Sequence, residues 1–319
     1  MDTLYFGGGT PSRLGIDGVA SMLAVVRGSL SLADDAEVTL EANPEDVTLE
    51  AVDAWRRAGV NRLSIGAQSF DDRVLRWMHR THDAAAITRA AAAAQRGGIN
   101  NFSIDLIFAL PEGIERSWVA DVQSALELRP AHLSLYGLTV EAHTPLARWK
   151  ARGDVTESPD ERYEDEFLHA HSALTSAGFQ HYEVSNFGRP GGHSRHNANY
   201  WTGRNYAGLG PSAHEFDGLA RRWNAPAYSD WLRRVTQGLD PVEGSETLSP
   251  ANLSAEAVYL GLRTSEGLII SPGEADRIRP WIARGWANIV EGNRLVLTAQ
   301  GWLRLDALAV DLTHHRSHY

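Results

Sequence analysis

The chain contains no cysteine among its 319 residues. That absence excludes disulfides, thiolate zinc sites, cysteine nucleophiles and any iron–sulfur cluster held by thiolates of this chain. No apolar run reaches about 18 residues, so we expect no integral membrane segment. Acidic residues outnumber basic ones by 40 to 30, and the formal net charge of −10 disfavours nucleic acid as a main partner. The sequence also lacks a signal-peptide pattern, and we expect a cytoplasmic protein.

Short β-rich runs alternate with helical patterns from Met1 to about Asn186. This alternation predicts an α/β fold of parallel strands joined by crossover helices. Six strands are predicted: Thr3–Phe6, Val38–Glu41, Arg62–Gly66, Phe102–Ala109, His132–Leu138 and Tyr182–Asn186. The helices between them are predicted near Gly18–Ser29, Leu49–Ala58, Asp83–Gln95, Arg116–Leu128 and Asp160–Ala177.

Two short motifs predict helix starts. In "SPDE", Ser158 is expected to cap the helix, with Pro159 at its first position and Glu161 reaching back. "SPGE" at Ser271–Glu274 repeats the pattern.

Three segments are predicted along the chain. Residues 1–187 form the βα region, and residues 188–245 form a connecting segment rich in histidine, glycine and aromatic residues. Its beginning, near Gly188–Gly210, is predicted to be a long irregular loop because Gly, Pro and Asn cluster there. In residues 246–319, two strand-like runs and a helix opened at Thr298 predict a small winged-helix-like domain, for which docking or lid duty is favoured over DNA binding.

Polar residues and glycines close the predicted strands. Since the carboxyl ends of parallel strands share one edge, these residues are expected to form one ligand site. Carboxylates there could accept hydrogen bonds from ribose hydroxyls, and glycines would let backbone groups approach a ligand. Individually, the glycine run could be a plain tight turn, and Asp105 a structural cap partnered by Arg80 or a ligand. The set is Gly7, Gly8, Gly9, Thr10, Glu41, Asn43, Gln68, Asp105 and Thr139.

Five motifs in this order carry a family resemblance: "YFGGGTPS", "LEANP", "SIGAQSF", "IDLIFALP" and "YEVSNF". They resemble the radical S-adenosylmethionine group that contains oxygen-independent coproporphyrinogen III oxidases and heme chaperones. The resemblance implies a partial TIM-type barrel over residues 1–187. It also implies that S-adenosylmethionine is contacted by Gly8, Gly9, Thr10, Glu41, Gln68, Arg80, Asp105 and Thr139.

The resemblance also exposes a departure. In that family the glycine-rich strand is the second of the barrel, and a preceding βα unit carries a CxxxCxxC motif for a [4Fe–4S] cluster. This sequence lacks that unit, so we expect Thr3–Phe6 to be an unpaired sheet edge and the chain as given not to perform radical chemistry. A truncated or misassigned start is favoured over a cysteine-free paralogue that kept binding and lost redox chemistry. A fragment unable to fold is a third possibility.

A histidine-rich segment separates the two branches of the family. It holds His193, His196 and His214, and chemistry alone leaves them as ordinary loop histidines. "HNANYW" resembles the HNxxYW motif of the heme chaperones, which implies that His196 ligates heme iron. Asn197, Tyr200 and Trp201 belong to the same motif and are expected to contact heme, with the aromatic rings offering flat apolar surface.

The favoured function is therefore a non-catalytic heme chaperone that delivers heme to recipient hemoproteins at membranes. The alternative is a radical enzyme of porphyrin biosynthesis that oxidatively decarboxylates coproporphyrinogen III. His314, His315 and His318 are expected to form a disordered tail without a site.

Overall fold

A computed structural model describes residues 1–142 and 144–316. The chain divides into two compact units, Met1–His196 and a second unit that begins at Asn197. The segment boundaries predicted near residues 187 and 245 stay predictions. Within the described residues, no helix is long and apolar enough to span a bilayer.

The first unit is built on one seven-stranded sheet of order β1-β2-β3-β4-β5-β7-β6. Strands β1 to β5 are parallel neighbours, as the alternating pattern predicted, and they form a partial TIM-type barrel. In the described chain, β1 pairs with β2 and occupies the sheet edge, as expected. The strands are β1 (Thr3–Phe6), β2 (Glu37–Ala42), β3 (Arg62–Gln68), β4 (Phe102–Phe108), β5 (His132–Gly137), β6 (Gln180–Glu183) and β7 (Asn186–Gly188).

Most helices of this unit begin at short polar residues that accept a backbone hydrogen bond. Thr48, Asp83 and Ser117 cap α2, α4 and α5 in this way. The cap predicted at Ser158 is wrong, because Pro159 occupies the N-cap position of α7 without a side-chain bond. The helices are α1 (Gly15–Ser29), α2 (Leu49–Ala58), α3 (Asp72–Trp77), α4 (Ala84–Arg96), α5 (Trp118–Glu127), α6 (Pro145–Ala151) and α7 (Asp160–Ser176).

The predicted strand Tyr182–Asn186 is also wrong. A turn at residues 184–185 splits it into β6 and β7, which pair antiparallel to each other. The Glu183 carboxylate stabilises the reversal by accepting the Ser185 N–H at 3.1 Å. As a result, β7 runs antiparallel to β5 instead of extending the parallel sheet.

Helix α8 (Arg195–Trp201) contains "HNANYW". The motif is therefore helical and does not lie in the irregular loop predicted for it. The start of α8 is capped by the Glu37 carboxylate, which accepts the backbone N–H of Arg195 at 3.1 Å and of His196 at 2.9 Å. Glu37 lies 158 and 159 positions before the two residues that it caps, so no local sequence motif contains this cap.

The second unit contains two three-stranded antiparallel sheets. Its last part, from α10 onward, has the helices and small β sheet of the winged-helix-like appendage, and Thr298 caps α12 as predicted. "SPGE" forms its capping box between Ser271 and Glu274. The elements are β8 (His214–Phe216), β9 (Ala220–Asn224), α9 (Tyr228–Thr236), β10 (Val242–Thr247), α10 (Pro250–Arg263), β11 (Leu268–Ile269), α11 (Ala275–Ala283), β12 (Ala287–Val290), β13 (Arg294–Leu297), α12 (Ala299–Trp302) and α13 (Leu305–Arg316).

The histidines near the C-terminus differ from expectation. His314 and His315 belong to helix α13, so the prediction of a disordered tail is wrong for them. His318 lies outside the described residues.

Candidate ligand-binding site

One face of the parallel sheet carries mostly polar side chains. Parallel strands are usually apolar on both faces, so this pattern indicates a surface that faces a ligand. On the opposite face, buried Val38, Leu40, Leu63 and Ile65 form the core beneath the helices. The polar face comprises Thr3, Tyr5, Glu37, Thr39, Glu41, Arg62, Ser64, Ser103, Asp105, His132, Ser134 and Tyr136.

At the carboxyl end of β1, the glycine turn meets Glu41. The Gly8 N–H donates to Glu41 Oε2 at 3.1 Å, and the Tyr5 hydroxyl donates to Oε1 at 2.7 Å. A Cβ at Gly7 would lie 2.5 Å from the Tyr5 ring and 2.8 Å from Glu41 Oε1, so this position requires glycine. Burial raises the pKa of Glu41, while the bonds from Tyr5 and Gly8 act in the opposite direction.

Asp105 stands on the neighbouring part of the polar face. Its Oδ2 accepts the Ser64 hydroxyl at 2.7 Å, and its Oδ1 accepts the Ser103 hydroxyl at 2.8 Å. Burial raises the pKa of Asp105, and these hydroxyl bonds oppose that rise. The expected pairing with Arg80 is wrong, because the Arg80 guanidinium donates instead to Asn43 Oδ1 at 2.8 Å and to the Gly66 carbonyl at 3.2 Å.

Gln68 lies at an irregularity in β3. The register with β4 shifts between Gly66 and Gln68, and Gln68 has a left-handed φ of 68°. Such a conformation costs an L-residue about 1–3 kcal/mol and is found at functional sites. A Cβ at Gly66 would lie 3.0 Å from Gln68 Nε2 and 3.3 Å from the Arg80 guanidinium, which places these groups together.

The two predicted threonines lie at the ends of their strands. The Thr10 carbonyl accepts the Arg13 N–H at 2.9 Å in the turn after the glycines. Thr139 is exposed beyond β5, with its hydroxyl 3.3 Å from Glu141 Oε1. Gly9 has open space around its Cα, where no heavy atom would lie within 4 Å of a Cβ.

A chain of hydrogen bonds runs from Asp105 to the residues before α8. Ser103 Oγ lies 2.9 Å from His132 Nδ1, and His132 Nε2 lies 2.7 Å from the Tyr182 hydroxyl. The Tyr182 oxygen accepts the Ser194 N–H at 3.3 Å. Burial lowers the pKa of His132 well below its usual value, so this imidazole is neutral and can donate at one nitrogen and accept at the other.

His196 is held by two side chains of β1. Its Nδ1 lies 3.0 Å from the Thr3 hydroxyl, and its ring stacks on Tyr5 with centroids 5.0 Å apart and an interplanar angle of 23°. Burial lowers the pKa of His196, so the ring is neutral near pH 7. Sequence reasoning identified His196 but missed Thr3, Tyr5 and Glu37, which position it.

The remaining residues of "HNANYW" lie in the second unit. Tyr200 makes an edge contact with Tyr206 at 4.8 Å, and the Arg263 guanidinium lies 4.1 Å from the Trp201 ring centroid. Trp201 Nε1 is buried without a hydrogen-bond partner. Asn197 follows His196 in α8, and His214 lies in β8.

The donor set of this face can be compared with the groups that the sequence resemblance implies. Glu41, Asp105 and the open glycine turn offer hydrogen-bond acceptors and accessible backbone, and His196 offers a neutral imidazole stacked on Tyr5. A [4Fe–4S] cluster does not fit this chain, because thiolates are its normal ligands and the sequence has none. Across residues 1–142 and 144–316, no group of three or more His, Asp or Glu side chains could hold a metal ion.

Comparisons with known proteins show relatives in both sequence and fold. Residues 1–122 match the Radical SAM superfamily. The fold resembles that of the radical SAM enzyme HemN, the coproporphyrinogen III oxidase of Escherichia coli, with a TM-score of 0.80 over 99% of this chain and 78% of that chain at 23% identity.

Relatives in sequence define the family more narrowly than the fold does. Heme chaperone HemW of Mycobacterium tuberculosis is 38% identical over 311 residues, 97% of this chain and 80% of that protein. HemW of Escherichia coli K12 is 41% identical over 67% of this chain and 56% of that protein. A mitochondrial radical S-adenosyl methionine domain-containing protein 1 from mouse is 35% identical over 96% of this chain and 71% of that protein. The chain therefore belongs to the HemW family of heme chaperones within the radical SAM superfamily.

Proposed function

We propose that this protein binds heme through His196 and passes it to recipient hemoproteins in the cytoplasm or at the membrane surface. The observation that carries the proposal is the fixed imidazole of His196, bonded at Nδ1 to Thr3 and stacked on Tyr5. Its relatives carry the name heme chaperone, which supports the same function.

The Thr3 contact suits iron coordination. When Nδ1 donates to the Thr3 hydroxyl, the imidazole lone pair is on Nε2, and iron coordination would use that nitrogen. A hydrogen bond to the second nitrogen of a metal-bound histidine fixes its tautomer and orients its ring. The lowered pKa of His196 keeps the imidazole unprotonated at neutral pH.

Asn197, Tyr200 and Trp201 are proposed to complete the heme site. Aromatic rings offer the flat apolar surface that a porphyrin covers. Trp201 Nε1 is buried and lacks a hydrogen-bond partner within the described residues. Buried N–H groups normally have a partner, so we expect a ligand to supply the acceptor.

S-adenosylmethionine is proposed to bind along the carboxyl ends of the strands. Glu41 and Asp105 would accept from hydroxyl or ammonium groups, and Gly8, Gly9 and Thr10 would present backbone to the ligand. Gln68, Arg80 and Thr139 would complete the set.

The proposed function is binding and transfer, without turnover. The alternative activity, oxidation of coproporphyrinogen III, needs an electron donor to cleave S-adenosylmethionine. A [4Fe–4S] cluster supplies that electron in the family, and this chain offers no thiolate for one.

Replacing His196 by alanine should weaken hemin binding. Loss of an axial ligand is expected to raise the hemin Kd about tenfold or more, which corresponds to about 1.4 kcal/mol. Titration of the purified protein with hemin, followed at the Soret band, measures both the affinity and the shift in band position.

His214→Ala is the matched control, since His214 is an exposed histidine of the same histidine-rich segment. Its Soret band and Kd should equal those of the wild type. An unchanged spectrum in His196→Ala, with a folded protein by circular dichroism, would contradict the proposed ligand.

Replacing Glu41 by glutamine should weaken S-adenosylmethionine binding. The substitution removes the charge and turns one acceptor oxygen into a donor, which opposes both the Gly8 N–H and ligand hydroxyls. Hydrogen bonds to charged groups contribute about 1.5–3 kcal/mol, so the Kd from isothermal titration should rise about tenfold or more. Equal affinity in wild type and Glu41→Gln would show that Glu41 does not bind S-adenosylmethionine.

A further inference from the structure

We propose that Tyr5 is a positioning residue that couples the Glu41 site to His196, so that occupancy of one site changes the affinity of the other. This inference rests on the proposed function. It adds a regulatory link between its two ligands, carried by Tyr5 at the start of the glycine-rich motif.

Tyr5 contacts both candidate sites with one side chain. Its hydroxyl donates to Glu41 Oε1 at 2.7 Å, and its ring stacks on His196 at 5.0 Å. A phenol is rigid between ring and oxygen, so movement of the hydroxyl must also move the ring. Pairing of Tyr5 with Thr39 fixes the backbone, which leaves the side chain as the part that can respond.

The contact region has little free space. A Cβ at Gly7 would overlap both the Tyr5 ring and Glu41 Oε1. Tyr5 and Glu41 therefore pack closely around this glycine, and a shift of one must be followed by the other. Closely packed side chains change between discrete arrangements instead of deforming continuously.

The Glu41 carboxylate is also the group that a ligand would share with Tyr5. Its two oxygens accept from Tyr5 and from the Gly8 N–H, and a carboxylate has about four acceptor positions. Hydroxyl or ammonium groups of S-adenosylmethionine would therefore add donors to the same oxygens. Each added donor draws on the same negative charge, so the bond from Tyr5 would weaken and its ring would be held less firmly.

His196 would respond because the Tyr5 ring is one of the groups that set the orientation of its imidazole. Thr3 and Tyr5 lie two positions apart and so point to the same face of the strand. Thr3 holds His196 Nδ1, and Tyr5 covers the ring face. When Tyr5 shifts, the ring can turn about the Thr3 bond, and the orientation that favours iron coordination is less populated.

Coupling of this kind is reciprocal and is typically a 5–150-fold change in affinity, about 1–3 kcal/mol. The weakening of the Tyr5–Glu41 bond fixes the sign of the coupling. S-adenosylmethionine should weaken heme binding, and heme should weaken S-adenosylmethionine binding by the same factor. The protein would then hold heme when the Glu41 site is empty and release it when that site fills.

The experiment compares wild type with Tyr5→Phe, which keeps the ring and removes the hydroxyl. Hemin is titrated with and without saturating S-adenosylmethionine. In the wild type the hemin Kd should rise about fivefold or more when S-adenosylmethionine is present. In Tyr5→Phe the two Kd values should agree within about twofold. A ratio in Tyr5→Phe equal to that of the wild type would overturn the proposal, as would an unchanged or lower Kd in the wild type.

A double-mutant cycle tests the same link without the second ligand. Hemin Kd is measured for wild type, Glu41→Gln, Tyr5→Phe and the double variant. Glu41→Gln should change the Kd about threefold or more in the wild-type background and leave it unchanged in the Tyr5→Phe background. Additive effects would overturn the coupling even if S-adenosylmethionine does not bind to this chain.

The controls separate this inference from the proposed function. Tyr228→Phe removes a hydroxyl from an exposed tyrosine of α9, and it should retain the wild-type coupling ratio. Failure of hemin to bind, or an unchanged Soret band in His196→Ala, would count against the proposed function. Normal binding of both ligands without coupling would count against Tyr5 alone.

Discussion

Arg116→Ala is expected to lower the free energy of unfolding by about 3–5 kcal/mol, because it leaves the buried Asp121 carboxylate without its cation, while Glu166 keeps Arg162 at 3.1 Å. The Arg116 side chain is fully buried, with its guanidinium 2.7 Å from Asp121 Oδ2 and 3.2 Å from Glu166 Oε2. The same carboxylates have further partners. Asp121 accepts the Ser69 hydroxyl at 2.8 Å, and Glu166 accepts the Ala109 N–H at 2.7 Å.

The ion cluster of Arg116, Asp121 and Glu166 stabilises the loops that follow β3 and β4, next to the candidate site. Ser69 follows Gln68 at the end of β3, and Ala109 follows the strand that holds Asp105. Loss of Arg116 should therefore loosen both strand ends as well as reduce stability.

Urea unfolding followed by circular dichroism measures the effect. Arg73→Ala is the control, because the Arg73–Asp71 pair is exposed on its arginine side and such pairs contribute about 0–1 kcal/mol. Equal losses in the two variants would contradict the assigned importance of the buried cluster. Arg116→Met tests whether the missing charge or the missing volume is responsible.

Much of the first unit could be predicted from sequence because its strands are short, β-rich and separated by helical patterns. The predictions for Thr3–Phe6 and Leu49–Ala58 match the structure at both ends. Caps at Thr298 and Ser271 depend on neighbouring residues, and these local signals sufficed.

Failures occurred where distant residues decide the structure. Helix α8 depends on Glu37, a strand residue from another part of the chain. A short segment rich in polar residues has weak helical propensity, and only this tertiary cap indicates a helix. The hairpin of β6 and β7 depends on Glu183 accepting from Ser185, a side-chain contact that β-rich composition does not show.

The sequence predicted only some of the residues on the polar face of the sheet. Sequence reasoning searched for polar residues toward the carboxyl ends of the strands and therefore identified Glu41 in β2 and Asp105 in β4. The interior partners alternate along the strands, as in "EVTLEA" and "HLSLYG", and a period of two in a parallel strand was the signal that could have found them. Which residues on this polar face meet across strands could not be predicted, since register sets the pairing of Ser103 with His132.

The stability of the protein should fall as the pH drops from about 7.5 to about 5.5. Burial lowers the pKa of His181 to about 3 and that of His132 well below its usual value. Unfolded histidines titrate near pH 6.5. Below that pH the unfolded chain binds protons that the folded chain rejects, so each histidine lowers the free energy of unfolding by about 1.4 kcal/mol per pH unit.

His181→Phe isolates one of these contributions. The His181 ring stacks on Phe187 at 3.8 Å and an angle of 18°, and a phenyl ring can retain that contact. The variant loses the hydrogen bond between His181 Nδ1 and His171 Nδ1, which reduces stability at every pH. Its pH dependence should nevertheless be shallower than that of the wild type by about one proton below pH 6.5.

Urea unfolding at several pH values and constant ionic strength gives both slopes. Glu41 and Asp105 act in the opposite direction, because their raised pKa values let the folded state bind protons first. Since both proteins contain these carboxyl groups, their contribution cancels in the difference between wild type and variant. Parallel curves for the two proteins would show that His181 takes up its proton equally in the folded and unfolded states, and would contradict its burial as the cause of acid sensitivity.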